Sequence, residues 1–401
     1  MAGMPPSDPD PAEYAQIFAN FVRMVGAQAG ANQATLGSRI RDHLQSESVD
    51  LPVVSQDFES YDQPNLQVAL DAWLTRAGTS HEVIGISGEQ RRYMGVALAD
   101  LLGRSGWGPP VAAGPVDYQN VDLPDGRILA CLEHALLLVT ADAERLVLMV
   151  SSTAGMPVRG GLPLRLEVLA QTRERGQEIV GELKGLARAL NVYRGHVISF
   201  APGVNTPSGP QVLVNFHQLP KVQAGDIVLP PGILDRIERQ TIRFSEHADA
   251  LVAAGRSLKR GILLHGLPGT GKTLTVMYLC SRMTGRTAIL TTGRGLGMVG
   301  RVAHLARELA PSMVVIEDVD LIAEERGMPH PFQRAGPLLF ELLNELDGLR
   351  DDADVIFVLT TNRADILEPA LAARPGRIDL AVELPLPDDE GRRRLFELYS
   401  R

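Results

Sequence analysis

A short apolar run, Gly261-Ile-Leu-Leu-His265, leads straight into Gly266-Leu-Pro-Gly-Thr-Gly271-Lys272-Thr273, and Leu274 to Arg282 continues with a helical pattern. No other stretch restricts the fold as tightly. Strand, glycine-rich loop and helix, in that order, form the context in which such a loop binds phosphate. Glycines at 266, 269 and 271 let backbone N–H groups close around phosphate oxygens without a Cβ in the way. The helix N-terminus adds its dipole and its unpaired N–H groups. Lys272 can reach β- and γ-phosphates, and Thr273 can place a hydroxyl on Mg²⁺. Leu267, Pro268, Gly269 and Thr270 make the body of the loop and Leu274 its helical exit, so Gly266 to Leu274 are all read as nucleotide-binding. Only four of the 39 basic residues are lysines, which makes one in this loop informative.

Three further segments fit the same chemistry. Met313-Val-Val-Ile316-Glu317-Asp318 reads as a buried strand ending in two acids, about 40 residues after the loop. One carboxylate, of Glu317 or Asp318, can hold a Mg²⁺ shell while the other orients an attacking water. Asp320 reads more simply as a cap. Val355-Ile-Phe-Val-Leu-Thr-Thr361-Asn362 is another apolar strand with a polar end, from which Asn362 could reach a γ-phosphate or the lytic water. Ala370 to Asp379 carries Arg374 and Arg377 astride Pro375-Gly376. Guanidinium groups on such a constrained turn can meet a phosphate bidentately, although a surface ion pair is the simpler use.

In this order and spacing the four segments resemble the ATPase module of the AAA family, from roughly Ile227 to the C-terminus. Gly266 to Thr273 looks like Walker A, Val314 to Asp318 like Walker B and Asn362 like sensor 1. Arg374 and Arg377 look like the family's paired arginine fingers. The resemblance implies a doubly wound five-stranded parallel sheet of the P-loop ATPase type, ATP and ADP as ligands, Mg²⁺, and ATP hydrolysis. It also implies a ring, usually hexameric, in which the fingers serve a neighbouring subunit. Hydrolysis would drive the remodelling or unfolding of a protein partner, and a bacterial member is expected.

Three departures from the family pattern follow. The Walker B acids run Glu317-Asp318, the reverse of the usual order, so the water-polarising acid is one methylene shorter. The aromatic pore loop aligns with Met298-Val299-Gly300, where methionine would grip by apolar contact; an ordinary loop is the other reading. The chain ends at Arg401, where the family's helical lid should begin, so the lid is expected to be absent.

The remainder is read more coarsely. Residues 1–9 are Pro- and Asp-rich and are expected to be a disordered tail. Asp10-Pro11 looks like a helix start, followed by an apolar stripe suited to core packing or to partner docking. Helical patterns near 36–44, 66–76 and 89–102 suggest a helical region over 10–122. Arg145–Val150, Leu164–Leu169, His196–Phe200 and Gln211–Phe216 read as strands, Thr172–Leu190 as a helix and Ala201–Pro210 as a loop, giving an α+β subdomain over 123–223. The cluster of Gly225, Pro230, Pro231 and Gly232 marks the boundary of an ATPase domain over 224–401. By position alone, the N-terminal region would receive a protein substrate or adaptor.

Composition limits the rest. The net charge is −9 and the pI near 5.5, which argues against a general nucleic-acid surface. The triplet Arg392-Arg393-Arg394 reads as a solvated helix face. Two isolated cysteines and the lack of a basic-apolar leader point to a reducing, cytoplasmic setting. No apolar run is long enough for a bilayer. The alternative to a motor is a nucleotide-regulated binding or scaffold protein with little hydrolysis, favoured by the reversed acids and the expected loss of the lid.

Overall fold

The computed structural model describes residues 35–46, 50–87, 96–103, 111–152, 164–206, 209–292, 299–320, 353–363 and 378–400. Two compact units divide the chain, Met1–Asn191 with Gly203–Gln211 and Val192–Pro202 with Val212–Arg401. The expected tail and first helix, residues 1–34, lie outside the described residues. No helix among the described residues is long and apolar enough to cross a membrane.

The first unit is built on an antiparallel sheet. Its strands are β1 (Val53–Phe58), β2 (Thr79–Ile86), β3 (Ala113–Gly114), β4 (Asp117–Asp122), β5 (Ile128–Ala141), β6 (Glu144–Ser152) and β7 (Leu164–Leu169). They lie in the order β1-β7-β6-β5-β2-β3, with β4 paired to the first half of β5. Helices α1 (Leu36–Leu44), α2 (Gln63–Leu74), α3 (Leu98–Leu101) and α4 (Arg173–Ala189) complete it. Leu137, Val139, Leu146 and Leu148 share one core with α2 and α4, while Leu136, Leu138, Val147 and Met149 share another with α1 and α3. Because both faces of β5 are covered, its sequence is an almost unbroken apolar run instead of an alternation. Thr35 and Thr172 cap α1 and α4 by accepting hydrogen bonds from the Ser38 and Arg175 backbone N–H groups, each at 3.2 Å.

This unit corrects the helical reading of 10–122. Three strands of that span, β1, β2 and β4, carry polar or exposed residues along much of their length, so no apolar period announces them. Their partners are set by backbone hydrogen bonds to β7 and β5, which composition does not encode. The clean alternation expected along Leu164–Leu169 also fails at Glu167, which is buried and accepts the Leu98 N–H at 2.9 Å.

The second unit, apart from residues 203–211 that group with the first, contains β8 (Val197–Thr206), β9 (Gly209–His217), β10 (Arg260–His265), β11 (Thr287–Thr292), β12 (Ser312–Glu317), β13 (Val355–Thr361) and β14 (Leu380–Glu383). Its helices are α5 (Ile233–Gln240), α6 (Ile242–Glu246), α7 (Ala248–Ala253), α8 (Lys272–Arg282), α9 (Val299–Glu308) and α10 (Asp389–Tyr399). The strand order is β14-β10-β13-β12-β11-β8-β9. Parallel pairing runs from β14 to β8. Ile262, Leu264, Met313, Val315, Ile356 and Val358 share one core with Val276 and Leu279 of α8. Residues of the opposite parity, among them Leu263, Val314, Phe357 and Leu359, are also buried, as a sheet covered on both faces requires.

Among the described residues the sheet has seven strands: β10 to β14 lie within 224–401, and β8 and β9 extend it beyond that span. The span 196–216, assigned from sequence to the preceding subdomain with a loop over 201–210, instead supplies two strands joined by two residues. The Ala288 N–H donates to the His196 carbonyl at 3.0 Å, and the Arg194 guanidinium donates to the carbonyls of Glu308 and Ala310. Residues 192–202 and those from 212 onward group with the second unit, while 203–211 group with the first.

Candidate functional site

Parallel register brings the functional ends of three strands to one edge. His265 at the end of β10 pairs with Thr361 at the end of β13, and Ile316 of β12 pairs with Leu359. The residues that follow, Gly266, Asn362 and Glu317-Asp318, consequently emerge together at the carboxyl edge of the sheet.

The loop after β10 is held by its own backbone. Gly266 has φ of 150°, and a Cβ there would lie 2.3 Å from the Leu384 carbonyl oxygen, so only glycine fits. Gly271, with φ of 94°, turns the chain into α8. The Thr270 hydroxyl donates to the Leu267 carbonyl at 2.9 Å. Lys272 Nζ donates to the carbonyls of Gly266 at 2.8 Å and Leu267 at 3.0 Å, and the residue is only 7% exposed. Burial holds its pKa below the ordinary lysine value, while the charges of Asp318 and Asp320 act in the opposite sense.

A cavity of about 430 Å³ opens over this loop, within the range of about 300–1,000 Å³ typical of small-molecule sites. Pro268 to Leu274 form its floor, with Asp318 and Asn362 at one side. The other walls come from Asp226–Leu229, from Pro385 and Pro387, and from Leu395 and Tyr399 of α10. One end is therefore cationic and rich in backbone N–H groups, and the rest is largely apolar. That division suits a nucleotide, with phosphates over the α8 N-terminus and the base among aliphatic and aromatic side chains. Thr273 and Asp318 both line the cavity, and they fit a Mg²⁺ ion held between hydroxyl and carboxylate oxygens.

The expected site residues divide as follows. Pro268, Gly269, Thr270, Gly271, Lys272, Thr273 and Leu274 line the cavity together with Asp318 and Asn362. Gly266 and Leu267 shape the loop behind it and present their carbonyls to Lys272. Asp318 rather than Glu317 forms the acidic wall. Glu317 lies at the strand end; burial pushes the Cys280 thiol up to about 12, and the Glu317 charge acts in the same sense. Asn362 Nδ2 donates to Asp318 Oδ1 at 3.3 Å, joining the sensor-like and Walker-B-like residues. Val299 is 2% exposed and Gly300 follows it in the first turn of α9, so Val299 offers no surface for gripping a chain. Met298, Arg374 and Arg377 lie outside the described residues.

Sequence reasoning gave Asp320 only as a cap and passed over the other contributors. Asp320 is buried, and its Oδ1 accepts from the Thr361 hydroxyl at 2.9 Å and the Asn362 N–H at 3.2 Å. The Asp318 N–H donates to the Thr360 hydroxyl at 3.1 Å. The walls from Asp226–Leu229 and α10 were equally silent, because no local pattern marks a residue that becomes a wall only after folding. The arginines at 392–394 are exposed on α10, as a solvated face requires.

Residues 262–386 match the model of the ATPase family associated with various cellular activities (AAA). The chain is 38% identical over 196 residues to a 26S proteasome regulatory subunit 6B homolog of Encephalitozoon cuniculi, covering 45% of this chain and 49% of the relative. It is 37% identical to 26S proteasome regulatory subunit 8 of Caenorhabditis elegans, over 49% of this chain and 50% of the relative. It is 36% identical to the proteasome-activating nucleotidase of Methanocaldococcus jannaschii, over 39% of this chain and 38% of the relative. The chain thus carries an AAA ATPase domain homologous to those of proteasome regulatory ATPases, and it spans half or less of the length of these relatives. They are eukaryotic and archaeal, and lend the expected bacterial source no support.

Proposed function

We propose that this chain binds ATP with Mg²⁺ and hydrolyses it as one subunit of a ring that acts on a protein partner. The observation that carries this reading is the convergence of Lys272, Thr273, Asp318 and Asn362 on one cavity whose remaining walls, Asp226 apart, are mainly apolar. Lys272 would leave the Gly266 and Leu267 carbonyls and turn its ammonium onto the β- and γ-phosphates. Thr273 and Asp318 would hold the metal shell, with Glu317 beside it. Bound Mg²⁺ would supply charge neutralisation at the phosphates. Asp318, braced by Asn362, is also the group best placed to orient the attacking water. Ile227, Val228, Leu395 and Tyr399 would enclose the base.

Arg374 and Arg377 are proposed to reach the γ-phosphate of an adjacent subunit, which makes the ring a condition for fast turnover. A hexamer is the assembly proposed. The relatives' names describe regulation or activation of the proteasome, which supports a protein as the remodelled partner. The first unit would receive it or an adaptor. A soluble cytoplasmic setting is part of this reading.

A second reading, a nucleotide-regulated scaffold, is favoured by the reversed acid order and by the exclusion of Glu317 from the cavity wall. Mass measurement and an ATPase assay of the full chain, with and without ATP, separate the two. The motor reading requires ATP-dependent oligomers, with turnover reduced about a hundredfold or more by Lys272→Ala. A monomer that binds ATP and turns nothing over would rule that reading out and leave the scaffold.

A further inference from the structure

Asp318 has a left-handed backbone, φ of 50°, at the point where its carboxylate meets Asn362. Aspartate tolerates that conformation better than most non-glycine residues, and a small cost remains for the surroundings to offset. Here the holding groups come from β13. The Thr360 hydroxyl accepts the Asp318 N–H at 3.1 Å, and the Thr360 carbonyl accepts the Val319 N–H at 3.0 Å. Two residues on, Asp320 Oδ1 reaches back to the Thr361 hydroxyl and the Asn362 N–H. Thr360, Thr361 and Asp320 are 2%, 0% and 6% exposed, so water does not substitute for these bonds. The turn after β12 is thereby fastened at both ends to the strand that carries Asn362.

The fastening answers the shortness of the acid. An aspartate carboxylate reaches one methylene less than a glutamate's, so its position follows the backbone turn more closely. The left-handed conformation at 318 presents it, and the bonds to β13 keep it from relaxing.

We propose that Thr360 and Asp320 are positioning residues for ATP hydrolysis, holding Asp318 in its left-handed turn against Asn362. Neither side chain lines the cavity. Both act through Asp318 and Asn362, and the proposal rests on the hydrolytic reading above.

Steady-state ATPase and binding of a fluorescent ADP analogue, measured on the full chain, test this. Thr360→Val is nearly isosteric and removes only the hydroxyl; it should lower kcat about tenfold or more with KM and ADP affinity within about twofold. Thr360→Ser, which keeps the acceptor, should retain most of kcat. Asp320→Asn keeps an acceptor oxygen and should outperform Asp320→Ala, with ADP binding reporting that each variant is folded. Unchanged kcat in Thr360→Val would overturn the proposal. So would equal losses in the valine and serine variants, or a change confined to KM. A parent chain that binds ADP without turnover would instead remove the hydrolytic reading on which the proposal stands.

Discussion

Lys272 shows how burial changes what a residue can do. Its ammonium is bonded to two loop carbonyls and held where its folded pKa lies below the ordinary 10.5. In the alkaline window below that value the unfolded chain holds more protons, so this group's contribution to stability rises with pH as its buried charge is lost. Phosphate affinity moves the other way, because the neutral amine no longer attracts an anion. ADP affinity should therefore fall as the pH rises toward 10.5, whereas Lys272→Arg, which stays charged, should bind more weakly but with a flat profile. Fluorescence titration across pH checks this. At Gly266 a methyl group would meet the Leu384 carbonyl at 2.3 Å, so Gly266→Ala should cost at least about 1–3 kcal/mol and weaken nucleotide binding, read by thermal melting with and without ADP. The placement of Lys272 and Thr273 at the cavity was legible in the sequence because the loop is local. The role of Asp320 was not: its partners, Thr361 and Asn362, lie over 40 residues away and become neighbours only through strand pairing.

Among the elements, legibility followed burial. β12 and β13 are covered on both faces, so their sequences are unbroken apolar runs with a polar end, and both were read correctly. β1, β2 and β4 have polar or exposed residues along much of their length and were missed. The amino ends of the central strands are tied by a buried pair that no motif announces. Arg286 Nη2 meets Asp354 Oδ1 at 2.5 Å, and the same guanidinium donates to the Ser312 carbonyl and the Ser245 hydroxyl. The Arg286 side chain is only 3% exposed, so Asp354→Ala would leave a buried cation without its counter-charge. A loss of about 3–5 kcal/mol is expected, measured by denaturant unfolding. This pair lies at the edge of the sheet opposite the cavity, so ADP affinity of the folded variant should change little.

For the molecule as a whole, the proposed ring makes a prediction that no single chain can meet. If Arg374 and Arg377 complete a neighbour's site, a chain with Lys272→Ala keeps usable fingers, and a chain with Arg374→Ala and Arg377→Ala keeps a usable cavity. Mixing the two inactive variants should restore a fraction of ATPase activity, and no recovery would mean that the fingers act within their own chain or not at all. The sequence by itself determined the glycine-rich loop between strand and helix, the acidic strand end and the asparagine at the end of β13, because each depends on contiguous residues whose chemistry and backbone needs are local. Only the tertiary structure decided that β8 and β9 join the sheet, that Asp318 and not Glu317 faces the cavity, and that β13 holds the turn bearing the acid. Those outcomes depend on strand register and on a single left-handed dihedral, which arise from backbone hydrogen bonds between distant segments and leave no periodic trace in side-chain type.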